Sequence, residues 1–163
     1  KQLLLALKLL KKTNIIFTLP NADKNSEAIA NLIKNFVINN KNSRVFSSLG
    51  QLKYLSCVKF VDGVIGNSSS GLLEVPSFKK GTINIGDRQK GRAQASSIIN
   101  CKPEKDSIGF AIKKLYSKKF IKQLISTKNP YGNGGASKKI VKVIRSVDLA
   151  NILKKKFYDL NLL

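Results

Sequence analysis

The chain has 163 residues, 42% of them hydrophobic, and carries 30 Lys and Arg against 9 Asp and Glu, a formal net charge of +21. That length suits one domain whose core needs no covalent staples. No apolar run reaches a membrane span, there is no His, and the two cysteines share no motif, which argues against a transmembrane helix, a histidine-based triad and a transition-metal site.

In chain order, residues 1–12 (KQLLLALKLLKK) set Leu3, Leu4, Leu5, Leu7, Leu9 and Leu10 on a helical period with a broad apolar face. Lys8, Lys11 and Lys12 recur as on a helix face and no small-residue cleavage site follows. The stretch therefore reads as a helix packed on a sheet rather than a signal peptide. The chain has no Met, so Lys1 is expected to lie inside a longer gene product. Residues 14–18 (NIIFT) read as a buried strand, 20–25 as a polar loop, and 26–39 as an amphipathic helix with Ile29, Leu32, Ile33, Phe36 and Val37 on one face. A short strand over 44–47 and a helix over 51–59, bearing Leu52, Leu55 and Val58, come next. Then follow a strand over 61–65, a short helix over 70–78, and strands over 82–85 and 97–101. Beyond these, 106–117 and 118–127 form one or two helices, 129–137 (NPYGNGGAS) a turn-rich loop, and 138–145 a helix that 149–157 continues or packs against. Phe46 and Tyr54 read as core residues, Tyr131 and Gly132 as turn residues.

Short strands alternating with helices predict an α/β fold, a Rossmann-like parallel sheet with helices on both faces. Ligands of such sheets bind beyond the carboxyl ends of the strands, where the loops at 19–23, 47–49, 66–70 and 86–92 all fall.

The charge invites a nucleic-acid reading, which its distribution weakens. Only Arg44, Arg88, Arg92 and Arg145 among the basic residues are arginines; the rest are lysines spread over every helix. No zinc-finger spacing, aromatic RNA-recognition motif or basic heptad accompanies them, so a solvated lysine surface is preferred and no nucleic-acid partner is expected. Cys57, on a helix face, and Cys101, at a strand end, read as buried free thiols of a reducing cytosol.

The most informative stretch is residues 66–92, GNSSSGLLEVPSFKKGTINIGDRQKGR. A helix cap accounts for one of its serines but not for three between two glycines. Small residues at a strand-to-helix junction let a phosphate reach free backbone N–H groups and the positive end of a helix. Glu74 reads equally as a first-turn carboxylate favoured by the helix dipole or as an acceptor for sugar hydroxyls. Arg88 and Arg92 share one loop in a chain that otherwise favours Lys, and Arg gives bidentate contact to phosphate. Asp87 either holds Arg88 in place or merely neutralises it. Asn21 and Asp23 in LPNAD read equally as an Asx turn or as ligand contacts.

Four stretches together resemble the UDP-N-acetylglucosamine 2-epimerases, in particular the hydrolysing branch that supplies N-acetylmannosamine-type sugars for sialic or legionaminic acid. They are FTLPNAD (17–23), IGNSSSGLLEVPSF (65–78), TINIGDRQKGR (82–92) and NPYGNGGAS (129–137). Their order and spacing match across nearly the whole chain, and the GNSS turn is similar to that of the hydrolysing rather than the non-hydrolysing enzymes. The resemblance implies that residues 1–163 are the C-terminal, UDP-binding half of a glycosyltransferase-B-type two-domain fold, with 136–163 its C-terminal helices. It implies Ser68 and Ser69 on the diphosphate, Glu74 on the ribose hydroxyls, Arg88 on the phosphates, Asn21 on the nucleotide and the Leu49 backbone on uracil. Catalytic carboxylates and a histidine typical of the family would belong to an N-terminal half upstream of Lys1, so this chain alone is expected to be inactive. No cofactor is implied; the partners implied are the UDP-sugar, the missing N-terminal domain and, since family members often assemble, a homo-oligomer. A UDP-sugar glycosyltransferase donor domain is the competing reading in the same fold class.

Overall fold

The computed structural model describes residues 1–20, 26–150 and 153–154. The chain divides into two compact units, Lys1–Tyr131 and Gly132–Leu163. The first holds α1 (Gln2–Leu7), β1 (Ile15–Thr18), α2 (Ser26–Ile38), β2 (Ser43–Phe46), α3 (Gly50–Phe60), β3 (Gly63–Gly66), α4 (Ser70–Leu73), a 3₁₀ turn (Val75–Phe78), β4 (Gly81–Ile85), β5 (Ile98–Cys101), α5 (Lys105–Leu115) and α6 (Lys118–Ile125). The second holds α7 (Ala136–Ser146), which opens on Gly135 in the left-handed conformation and ends at an extended Val147. Of the helix predicted over 149–157, the described residues Leu149, Ala150, Leu153 and Lys154 are not helical; its other residues lie outside the described ones, as do Asn21 and Asp23. Among the described residues no helix is long and apolar enough to cross a membrane.

Every strand pair is parallel, and helices flank the strands as the sequence predicts. The strands nevertheless pair in two groups, β1–β2 and β3–β4–β5, instead of one sheet. A doubly wound sheet of order 2-1-3-4-5 would set β1 beside β3. Here those two strands line a cavity of about 750 Å³, together with Ile29, Leu32 and Leu49. β3 reads Gly-Val-Ile-Gly, so only two side chains anchor that edge, and glycine inside a strand weakens it.

The three-stranded sheet is covered on both faces. On one, Ile83 and Ile99 pack with Ile108, Ala111, Ile112 and Leu115 of α5, with Phe120 and Leu124 of α6, and with Ala6 and Leu7 of α1. On the other, the Thr82 hydroxyl donates to the Gly71 carbonyl at 2.9 Å, seating α4. A Cβ at Gly71 would stand 2.6 Å from Thr82 Cγ2, so only glycine allows this approach. Gly63 and Gly81 are opposite each other in the β3–β4 ladder, and the Leu115 and Phe120 side chains lie directly over Gly81. Leu72, Val75 and Ile83 are fully buried. Each contributes roughly 1.5–3 kcal/mol of transfer free energy.

Several sequence expectations need correction. The first helix stops at Leu7 rather than running to Lys12, and Leu5 and Leu9 are exposed. On α2, Ile33 and Phe36 are buried as expected, whereas Ile29 and Leu32 are exposed and line the open cavity instead of meeting a closed sheet. Val58 is buried on α3, but Leu52 is exposed. Phe46, read as core, ends the short β2 and is also exposed. The single helix expected over 70–78 breaks at Glu74 into α4 and the 3₁₀ turn, because Pro76 cannot donate a backbone hydrogen bond and disfavours helical geometry before it.

Candidate functional site

The ladder aligns Gly66 with Asn84 and Ile85 with Cys101, so the loops leaving β3 and β4 start side by side. At the first exit, residues 67–70 turn directly into α4. Ser69 is the N-cap but makes no capping bond with its side chain. Ser68 Oγ accepts from the Ser70 N–H at 3.4 Å, a local turn contact. Ser68 is exposed and Ser69 half-buried, so both hydroxyls stand at the mouth of the turn.

Glu74 terminates α4 instead of lying in its first turn, which removes the dipole explanation for a carboxylate there. It is held another way. The Ser70 hydroxyl donates to Glu74 Oε2 at 2.6 Å, and the Tyr54 phenol, reaching across from α3, hydrogen-bonds Ser70 Oγ. Burial raises the Tyr54 pKa and the Glu74 charge raises it further, against the lowering effect of the Ser70 contact. The phenol thus stays protonated, and able to donate, throughout the neutral range. Tyr54, expected in the core, is a half-buried member of the site.

At the second exit, Gly86 takes φ 78°, a left-handed conformation natural to glycine, and starts the loop that carries the arginines. The Lys90 N–H donates to the Asp87 carbonyl at 2.8 Å and the Arg92 N–H to the Gln89 carbonyl at 3.3 Å, closing two successive turns. Asp87, Arg88 and Arg92 are exposed on them. Gln89 points inward, is 3% exposed, and donates from Nε2 to the Asn67 carbonyl at 2.8 Å. This bond fastens the arginine loop to the serine turn. Beneath, buried Asn84 donates to Asn100 Oδ1 at 2.8 Å, and Asn100 donates to Gln94 Oε1 at 2.8 Å.

A third loop joins from the chain's end of this unit. Asn129 donates to the Leu73 carbonyl at 2.8 Å and to Ser77 Oγ at 2.7 Å, and the Tyr131 hydroxyl donates to the Ala93 carbonyl at 3.0 Å. Tyr131 is therefore more than a turn residue: it braces the stretch after Arg92. Leu49 is the N-cap of α3, the helix that carries Tyr54. The serine turn, Glu74, the arginine loop and Tyr54 of α3 thus form one hydrogen-bonded cluster at the strand ends.

Hydroxyls, exposed guanidinium groups and a fixed carboxylate are the donor and acceptor set for an anion that also carries a diol. The family model described as UDP-N-acetylglucosamine 2-epimerase matches residues 1–145. The chain belongs to this family. Among the epimerase relatives, it is 44% identical over 162 residues to the Campylobacter jejuni GDP/UDP-N,N'-diacetylbacillosamine 2-epimerase (hydrolyzing), covering 98% of this chain and 42% of that protein. It is 41% identical over 161 residues to the polysialic acid biosynthesis protein P7 of Escherichia coli, covering 98% of this chain and 41% of that one. The chain therefore spans about two fifths of the length of these relatives. Among solved structures, the Methanocaldococcus jannaschii UDP-GlcNAc 2-epimerase in complex with UDP-GlcNAc and UDP superposes with a TM-score of 0.67 at 21% identity, covering 88% of this chain and 38% of that one. The Neisseria meningitidis enzyme bound to UDP-GlcNAc gives a TM-score of 0.65 at 18% identity, with 88% and 39% covered. The fold expected from the sequence is the fold of these epimerases.

Proposed function

We propose that this chain is the C-terminal, nucleotide-binding half of a hydrolysing UDP-sugar 2-epimerase, working in the cytoplasm with an N-terminal half that carries the acid and base carboxylates. The observation that supports it most is the hydrogen-bonded union of serine turn, Glu74 and arginine loop at the strand ends, in a chain so similar to relatives named as hydrolysing 2-epimerases. On this reading Ser68 and Ser69 hold the diphosphate, Arg88 closes over it, Glu74 accepts from the ribose hydroxyls, and Asn21 and the Leu49 backbone touch the nucleotide and its uracil. The substrate is a UDP-linked 2-acetamido sugar. The two free thiols, Cys57 and Cys101, are half-buried rather than buried as expected, and fit a reducing compartment.

In the reaction the family resemblance implies, loss of the C2 proton and departure of UDP give a 2-acetamidoglucal. Water then adds to release the epimerised N-acetylmannosamine-type sugar, a precursor of sialic or legionaminic acid. The residues of this chain do the electrostatic part. Negative charge grows on the leaving diphosphate as the glycosidic bond breaks, and donors already fixed in place stabilise it without reorganising. The full-length protein is expected to convert UDP-N-acetylglucosamine, or its 2,4-diacetamido-trideoxy relative, to UDP and free sugar with no acceptor present. A requirement for an acceptor would reassign it to glycosyl transfer. Amide shifts at Gly66 and Gly71 upon UDP titration test the site itself, and no response at millimolar UDP would refute it.

A further inference from the structure

Glu74 is one end of a chain of three side chains whose proton directions are fixed by chemistry. An ionised carboxylate only accepts, so the 2.6 Å contact from Ser70 Oγ to Glu74 Oε2 uses the single Ser70 proton. The bond between Tyr54 and Ser70 must then be donated by the phenol. The relay runs one way, Tyr54 to Ser70 to Glu74, and each member polarises the next.

Two features show what the relay can do. It engages Oε2, leaving the acceptor capacity of Oε1 to a ligand. It also starts on α3, a different element from the short α4 that Glu74 ends, and α3 is the longer of the two, eleven residues against four. A carboxylate at the end of a four-residue helix would otherwise be fixed only by its own backbone. The third serine of the turn is thereby explained: Ser70 is committed inward, while Ser68 and Ser69 remain at the mouth.

We propose that Tyr54 is a positioning residue for ribose recognition, orienting the Glu74 carboxylate through Ser70 so that it meets the ribose hydroxyls without first reordering. This rests on the assignment of Glu74 to the ribose of a uridine nucleotide. Tyr54 touches no substrate in this role.

The test uses the full-length protein with Tyr54→Phe, which keeps the ring and its packing and removes the donor. Calorimetric titration with UDP should show affinity weakened about five- to tenfold, the scale of one hydrogen bond between neutral groups. Titration with 2′,3′-dideoxyuridine diphosphate, which lacks the hydroxyls Glu74 would accept from, should give the same affinity in wild type and variant. Ser70→Ala, cutting the relay one residue further on, should reproduce both results, and the double variant should lose nothing more. A role in folding alone would weaken both ligands equally and overturns the proposal. Equal UDP affinity in wild type and Y54F also overturns it while leaving the nucleotide site standing. Failure of the wild type to bind UDP removes the nucleotide reading and the proposal together.

Discussion

In the three-stranded sheet, Gly81, Thr82, Ile83 and Asn84 of β4 are all buried, with helices on either face; in the two-stranded sheet, Ile16 and Thr18 of β1 and Phe46 of β2 are exposed. The first sheet carries the serine turn and the arginine loop, the second only the start of α3 and the loop beyond Thr18. The contrast follows the ligand chemistry proposed for each. A diphosphate carries concentrated charge, and donors that must reorganise to meet it forfeit much of their value. A base presents a broad apolar face and a few edge contacts, which a looser surface can receive.

Substitutions graded across the two sheets break or sharpen this contrast. The largest effect is expected from Gly81→Val, whose Cβ would lie 2.4 Å from Leu115 Cδ1 and 2.8 Å from Phe120 Cε1. Overpacking there should lower unfolding free energy by about 3 kcal/mol in urea titrations. Next is Arg88→Ala, expected to lower kcat/KM for the proposed reaction of the full-length protein about a hundredfold. Arg88→Lys should recover only part of that, because an ammonium cannot span two phosphate oxygens; full recovery would mean that charge alone matters. Gly71→Ala should cost about 2 kcal/mol by lifting α4 off β4. Adding Thr82→Ser removes the clashing methyl, keeps the hydroxyl, and should restore most of the stability in the same titration. The smallest effect belongs to the open half: Phe46→Thr should change stability by no more than about 0.5 kcal/mol. A loss like that of Gly71→Ala would show that β1 and β2 are as tightly held as the other sheet.

What was legible in the sequence was local. Glycines, serines and arginines at strand exits declare themselves by composition, and strand and helix ends fall within a few residues of the expected positions except for α1. Residues that join distant segments were hidden. Tyr54 occupies a position on α3 that helical periodicity assigns to a core, and its partner Ser70 lies sixteen residues on. Gln89 looks like one more polar loop residue until its side chain is seen turned in toward Asn67. The split at Glu74 did have a signal, Pro76. Ile29 and Leu32 obey amphipathic spacing, yet that spacing says only which face is apolar, not whether a sheet closes over it.

The facing pair Gly63 and Gly81 stands at the amino ends of β3 and β4, the opposite side of the sheet from the serine and arginine loops. The severest steric limits at that end of the sheet are thus kept a full strand length away from the ligand rim. A lineage with this framework can rewrite its rim loops for a different amino sugar without disturbing the place where α5 and α6 grip the strands. Divergence among such enzymes should then accumulate at the carboxyl ends of the strands, while the two glycines stay as they are.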